Sequence, residues 1–165
     1  MNRRRAVTGS AVFFVVAPGL IAGLLPWWLT GWRPAAELPG WWFVVAGLGW
    51  VVLAAGLAVL VACFVRFVTE GGGTPAPVAP PSAVVAGGLY AWVRNPMYLG
   101  ILAILLGQVA ILGRGELLGY TAAVAAAFVA FVTLYEEPTL AATFGEEYAA
   151  YRRRVPGWWP RRPRP

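Results

Sequence analysis

Two polar clusters interrupt an otherwise apolar chain, and they hold most of the side chains able to do chemistry. The first, Gly87 to Gly100, reads GGLYAWVRNPMYLG. Pro96 suits the first position of a helix and Asn95 its N-cap. A helix start offers free N–H groups and partial positive charge, which with Arg94 suits a carboxylate or a phosphate. An equally plain reading makes Arg94 a membrane-flanking cation and Asn95 a cap. The second cluster, Tyr135 to Pro160, opens with Glu136 and Glu137. They fall at the C-terminal end of a helix, where the macrodipole disfavours anions by up to ~1 kcal/mol. Something must compensate: an ion pair with Arg94 or with the basic tail, or a cationic or hydroxyl-bearing ligand.

The missing residue types narrow the chemistry further. The chain has no histidine and no aspartate, and Cys63 is its only cysteine. Disulfides within the chain, His/Cys zinc sites, histidine-dependent triads and thiol–disulfide pairs are thereby excluded. Cys63 lies in an apolar run and reads as packing. What remains is chemistry by Glu, Arg, Tyr, Asn and backbone groups, or by a cofactor.

Positioning these clusters falls to a membrane-embedded framework. Of 165 residues, 59% are hydrophobic and only 12% charged, about half the charged share of a soluble domain. A soluble chain this small could not bury so much apolar surface, which makes the bilayer its solvent. The expected fold is all-α and integral to the membrane, with about four transmembrane helices, a C-terminal helical hairpin and a short amphipathic cytoplasmic helix. The first apolar run spans Ala6 to Leu29, is retained rather than cleaved, and carries a candidate kink at Pro18. The second runs from Trp41 to about Phe67, the third from Pro96 to Leu112 and the fourth from Leu117 to Tyr135. Pro138 is expected to end the fourth. Only Gly113–Glu116 separates the last two, hence the hairpin. Thr69 to Ser82, rich in Gly and Pro, reads as an exposed loop. Residues 1–83 thus hold two N-terminal helices and this loop, residues 84–165 the half with the chemistry, and together they make one compact membrane domain.

Charge sets the orientation. Net charge is +6, and every positive residue is arginine. With four spans, Arg3, Arg4, Arg5, Arg66, Arg94, Arg152, Arg153, Arg154, Arg161, Arg162 and Arg164 share one side, against Arg33 and Arg114 on the other. That asymmetry places both termini and the polar clusters at the cytoplasmic face of a cell or inner membrane. Nucleic acid is not an expected partner, because such charge serves the anionic leaflet. Trp27, Trp28, Trp32, Trp41 and Trp42 form an aromatic belt on the far side. Gly19 and Gly23 make a small-residue pair suited to packing a helix of this chain, or to a dimer; the chain is expected to be a monomer or a weak homodimer. Beyond Pro138, Thr143 and Glu146 have capping-box spacing. Phe144, Tyr148, Tyr151 and Val155 would line one face of the amphipathic helix. Such a stripe more often packs or docks on a membrane than recognises a cofactor. Arg152–Arg154 and Arg161–Arg164 read as anionic-lipid anchors.

In order and separation, these segments resemble the membrane methyltransferase superfamily of isoprenylcysteine carboxyl methyltransferases and phospholipid N-methyltransferases. The resemblance rests on Gly88-Leu89-Tyr90, on Arg94-Asn95-Pro96-Met97-Tyr98-Leu99-Gly100 and on Glu136-Glu137. It continues through Phe144-Gly145-Glu146-Glu147-Tyr148-Ala149-Ala150-Tyr151 and Val155-Pro156, and covers Val84 to Pro160. It implies an S-adenosylmethionine pocket at the cytoplasmic ends of the last two helices, under the C-terminal segment. Tyr90, Arg94, Asn95, Pro96, Tyr98 and Leu99 would line one wall; Glu136, Glu137, Tyr148 and Tyr151 the other. Arg94, Glu136 and Glu137 would serve catalysis as well as binding. Asn95 stands where many members have histidine, so that side chain can keep a polar contact but cannot shuttle a proton. The Glu–Glu–Pro form, with Phe131 to Tyr135 before it, is closer to the phospholipid enzymes than to the prenylcysteine ones. The implied activity is methyl transfer to a lipid or other hydrophobic small molecule in the membrane. Two other readings compete: an NADPH-dependent membrane reductase of the sterol type, although Met97 departs from that pattern, and a non-enzymatic membrane scaffold.

Overall fold

The computed structural model describes residues 16–70 and 83–163, and every regular element in them is helical. Helix α1 is Val16–Thr30, α2 is Trp42–Glu70, α3 is Pro96–Leu112, α4 is Gly115–Phe144 and α5 is Glu146–Arg154. A 3₁₀ turn, Gly88–Ala91, precedes α3. Within α2 and α4, the segments Trp42–Arg66 and Gly115–Phe144 are long and apolar enough to cross a bilayer; α1 and α3 are shorter apolar helices. The basic segment Asn2–Arg5, the start of the first apolar run and most of the Gly/Pro-rich loop lie outside the described residues. Thr69, expected to be in that loop, instead lies in the last turn of α2.

Close approach of α2 and α3 is what assembles the core. The two helices run antiparallel, and two glycine pairs meet where they touch. A Cβ on Gly49 would lie 2.8 Å from the Gly107 carbonyl oxygen, and one on Gly56 2.7 Å from that of Gly100. In each helix the two glycines are about two turns apart, and so on one face. Backbone-to-backbone contact of this kind maximises dispersion where no solvent drives helices together. Around it, Leu60, Ile101, Ile104, Leu105 and Phe128 pack as the main core, joining α4 to the pair. The expected Gly19/Gly23 contact is not formed: a Cβ at either would meet nothing within 4 Å among the described residues. Cys63 is fully buried with Val85 and Tyr90, as a packing residue.

Two prolines shape the helices without ending them. Proline has no N–H and its ring presses on the carbonyl four residues back. Before Pro26, Leu20–Leu24 forms a π-turn in which the Leu25 N–H donates to the Leu20 oxygen, one residue further than in an α-helix. That shift frees the Ile21 and Ala22 carbonyls. Tyr120 Oη donates to Ile21 O at 2.7 Å and Gln108 Nε2 to Ala22 O at 2.6 Å, fastening α1 to α4 and α3. Among the described residues the irregularity of the first helix is at Leu20–Leu24, before Pro26, whereas the carbonyl that Pro18 would press on lies outside them. Pro138 is treated alike. Val132–Glu136 is a second π-turn, and the Glu137 N–H donates to Val132 O. The helix then continues to Phe144, so the expectation that Pro138 terminates it is overturned.

At the opposite end, the α1–α2 connection caps α3. Ala35 N–H donates to Leu112 O at 2.8 Å and Trp42 Nε1 to Ala110 O at 2.9 Å, satisfying carbonyls that a helix end leaves orphaned. Trp27, Trp28, Trp32 and Trp41 are exposed, whereas Trp42 turns inward to this carbonyl. Gly113, in the left-handed region at φ 62°, closes the α3–α4 hairpin. Gly56→Val or Gly107→Val should destabilise the protein by ~1–3 kcal/mol through overpacking. Gly47→Ala, whose Cβ meets open space, should be neutral or slightly stabilising. Thermal melts of the detergent-purified variants check this; equal melting of all three would refute the glycine contact.

Candidate functional site

Two adjacent carboxylates at the end of the π-turn Val132–Glu136 both meet the start of α3, and π-turns recur at functional sites. Tyr98 Oη donates to Glu136 Oε2 at 2.5 Å. Arg94 Nη2 lies 3.0 Å from Glu137 Oε1, with the two side chains only 12% and 15% exposed. Arg152 Nη2, from α5, approaches Glu137 Oε2 at 3.3 Å. Arg94 and Glu137 thus meet directly, and Arg152, read from sequence as a lipid anchor, belongs to the same cluster. Its signal was helical spacing: Arg152 follows Tyr148 by one turn and Tyr151 by one residue.

Arg94 is not fully satisfied by this. Its Nε and Nη1 are buried and have no hydrogen-bond partner. Unsatisfied buried donors cost ~1–3 kcal/mol each, more when charged, so they mark a place where an acceptor belongs. The α3 start lies beside them. Pro96 is fully buried at the first helical position. Asn95 occupies the N-cap but makes no side-chain cap bond, contrary to expectation; its Nδ2 donates to Gly157 O at 3.0 Å. Leu99 sits half-buried on the first turn, its N–H on Asn95 O at 3.3 Å.

Tyrosines form the adjoining wall. Tyr148, Tyr151 and Val155 are buried together, with Phe144 and Leu140 against them, which gives the α5 stripe its packing role. Tyr151 Oη donates to Tyr90 O at 2.7 Å, locking α5 to the 3₁₀ turn. Burial pushes the Tyr90, Tyr148 and Tyr151 hydroxyls above the ordinary phenol range, with Arg94 opposing the rise at Tyr148, so they stay neutral. The expected Thr143/Glu146 capping box is absent: Thr143 donates back to Thr139 O and Glu146 pairs with Arg153. Gly145, at φ 52°, makes the sharp corner between α4 and α5 instead.

A C-terminal strap closes the cluster. Arg94 N–H donates to Pro156 O at 2.9 Å, and Arg161 N–H to Trp92 O at 3.0 Å. Gly157 fits because a Cβ there would stand 3.0 Å from Arg94 Nη2. Trp158 lies against Tyr98, ring centroids 6.2 Å apart, and Phe128 does so from α4 at 4.7 Å. Sequence reasoning passed over Phe128, Gly157 and Trp158, whose only mark was proximity to the Val155–Pro156 pair or to mid-helix. Among the described residues no group of His, Cys, Asp or Glu could hold a metal. Asn95→Ala should loosen the strap by about 1 kcal/mol, the net worth of one hydrogen bond. Tryptic cleavage after Arg161 should then accelerate roughly fivefold, and an unchanged rate would show that Asn95 does not hold the strap.

An arginine with spare donors beside paired carboxylates and tyrosine rings can hold a zwitterionic ligand at the end of an apolar bundle. The sequence model of the phospholipid methyltransferase family matches residues 42–147. No curated protein and no solved structure matches the chain. The matched region takes in α2, both helices of the hairpin, Arg94 and the two glutamates, and it stops at the first turn of α5. The chain belongs to the phospholipid methyltransferase family.

Proposed function

We propose that this protein is an integral membrane methyltransferase that uses S-adenosylmethionine to methylate a lipid or another hydrophobic acceptor. In this reading about four helices span the bilayer, with the Arg94–Glu137 cluster at the cytoplasmic face. The observation that carries it is the half-satisfied Arg94: buried, paired with Glu137 through one nitrogen, and holding two donors without an acceptor. Those donors fit a carboxylate such as the one S-adenosylmethionine carries, and the free N–H groups at the start of α3 reinforce them. When bound, the cofactor supplies an electrophilic methyl group on a sulfonium.

The chain's own residues do the rest. Arg94 and the α3 start orient a carboxylate. Glu137, held by Arg94 and Arg152, offers an acceptor to an ammonium or a ribose hydroxyl. Tyr90 and Asn95 fix the loop before α3, and Pro96 and Leu99 complete its wall. Tyr148 and Tyr151 shield the hollow from water, and Tyr98 presents a π-face suited to a cation. Methyl transfer is an in-line displacement that depends chiefly on proximity and alignment. A dry site also favours reaction of an anionic nucleophile with a cation. For an amine acceptor, Glu136 can take the departing proton on Oε1, since Tyr98 already occupies Oε2. No histidine is required.

Glu137→Gln and Arg94→Ala should each weaken S-adenosylmethionine binding by ~1–3 kcal/mol, the range for a charge-assisted hydrogen bond. Isothermal titration of detergent-purified protein measures this, and unchanged affinity in both variants would remove the assigned site. Membranes containing the protein, given isotopically labelled methyl donor, should accumulate label in a lipid fraction that lacks it without the protein. Label confined to the unreacted donor would sink the activity itself.

A further inference from the structure

A second cleft opens beside the cluster, between the segment before α3, the last turn of α5 and the strap. Its volume is about 360 Å³. Ala86, Ala91, Tyr151 and Val155 give it an apolar lining, and Arg153, Arg154 and Arg161 stand around it. Tyr151, Val155 and Arg161 also belong to the wall and strap beside the Arg94–Glu137 cluster, but neither Arg94 nor either of its glutamates lines the cleft. No carboxylate lines the cleft. Arg153 is held by Glu146 at 2.6 Å, but among the described residues neither Arg154 nor Arg161 forms an ion pair. With Arg153 held by Glu146, Arg154 and Arg161 leave two uncompensated cations at one concavity, and a shared anion relieves their repulsion.

Position and shape select the kind of anion. Ala91 lies in the 3₁₀ turn directly before α3, an apolar helix that begins at Pro96. A group lodged here sits where apolar helix gives way to arginine-rich chain, the level of lipid headgroups. The pairing of an apolar lining with guanidiniums matches a phosphodiester attached to a glyceride better than a fully hydrated ion.

We infer that the Arg153–Arg154–Arg161 cleft is a binding site for the phosphate of an anionic phospholipid, separate from the place of methyl transfer. It does not rest on the proposed enzymatic activity. The site holds one lipid per chain and anchors the strap through Arg161, whose N–H is already bonded to Trp92 O.

Native mass spectrometry of the full chain in detergent, titrated with phosphatidylglycerol or phosphatidylcholine, tests this. The expected result is one tightly retained phosphatidylglycerol, with phosphatidylcholine held far more weakly. Arg161→Ala should lower that affinity about tenfold, as loss of a charged hydrogen bond does. Arg162→Ala removes the same charge from the next residue, which does not line the cleft, and should bind as the unmodified chain does. Ala86→Leu fills the cleft without altering charge and should weaken binding like Arg161→Ala, with circular dichroism confirming an intact fold. Equal losses in Arg161→Ala and Arg162→Ala, or full binding by Ala86→Leu, would replace the cleft with diffuse surface charge and overturn the inference. Equal retention of the two lipids would overturn it as well. Displacement of phosphatidylglycerol by millimolar inorganic phosphate would reassign the site to a water-borne anion and remove the lipid.

Discussion

The contact between Arg94 and Glu137 governs the rest of the architecture, because two ions withdrawn from water must be compensated locally. Burying a single charge costs several kcal/mol even after relaxation, and removing one member of such a pair typically costs 3–5 kcal/mol, on the order of a domain's whole stability. At 3.0 Å, with little exposure on either side, the pair fixes α4 at Glu137, about two turns before its end, relative to the start of α3. The hairpin turn at Gly113 fixes the same helices at their other end. Two fixed ends leave little freedom between them. Phe128 and Tyr98 pack within that constraint, and Tyr98 bonds Glu136.

Reaching this contact requires α4 to be unusual. An ordinary α-helix turns about 100° per residue, so neighbouring carboxylates splay apart. The π-turn before Pro138 accommodates the missing N–H and the ring of the proline, and the helix carries on past both glutamates. The first helix provides the comparison. There a π-turn before Pro26 frees two carbonyls, and Tyr120 and Gln108 use them to bind helices together. In α1 the irregularity yields packing; in α4 it yields a site. What distinguishes them is the residue types that follow, apolar in one and acidic in the other.

Much of this was legible in the sequence. The boundaries of α3, from Pro96 to Leu112, followed from a proline at the start and a glycine at the end. The meeting of Arg94 with the glutamates was one of the readings open from dipole and charge. The tyrosine stripe of α5 followed from helical spacing. Less legible were features that depend on distances between segments. Gly49, Gly56, Gly100 and Gly107 are ordinary glycines until two helices bring them face to face, while Gly19 and Gly23 have tighter spacing and meet nothing among the described residues of the chain. Pro138 looked like a terminator because the rule for proline assumes α-geometry, and a π-turn is the exception that sequence does not announce. Arg152 looked like its neighbours Arg153 and Arg154; only the register of α5 against α4 separates it from them. Asn95 took the N-cap position, but the strap, distant in sequence, took its side chain.

Charge balance explains why such a cluster can persist before any ligand arrives and still accept one. Arg94 and Arg152 both face Glu137, and Glu136 accepts from Tyr98, so each carboxylate has a partner within the chain. A ligand carrying one carboxylate and one ammonium would add no net charge to the cluster. In the proposed function its carboxylate would meet the unused Arg94 nitrogens, and its ammonium would meet Glu136 Oε1, the one oxygen of the two glutamates that Arg94, Arg152 and Tyr98 do not meet. No internal pair has to break, because Arg94 touches Glu137 through Nη2 alone. A dianion would instead face Glu137, and a lone cation would face Arg152. Under the proposed function the cluster would therefore suit an amino-acid-like zwitterion, and the strap from Val155 to Arg161 would bound the rest of the molecule.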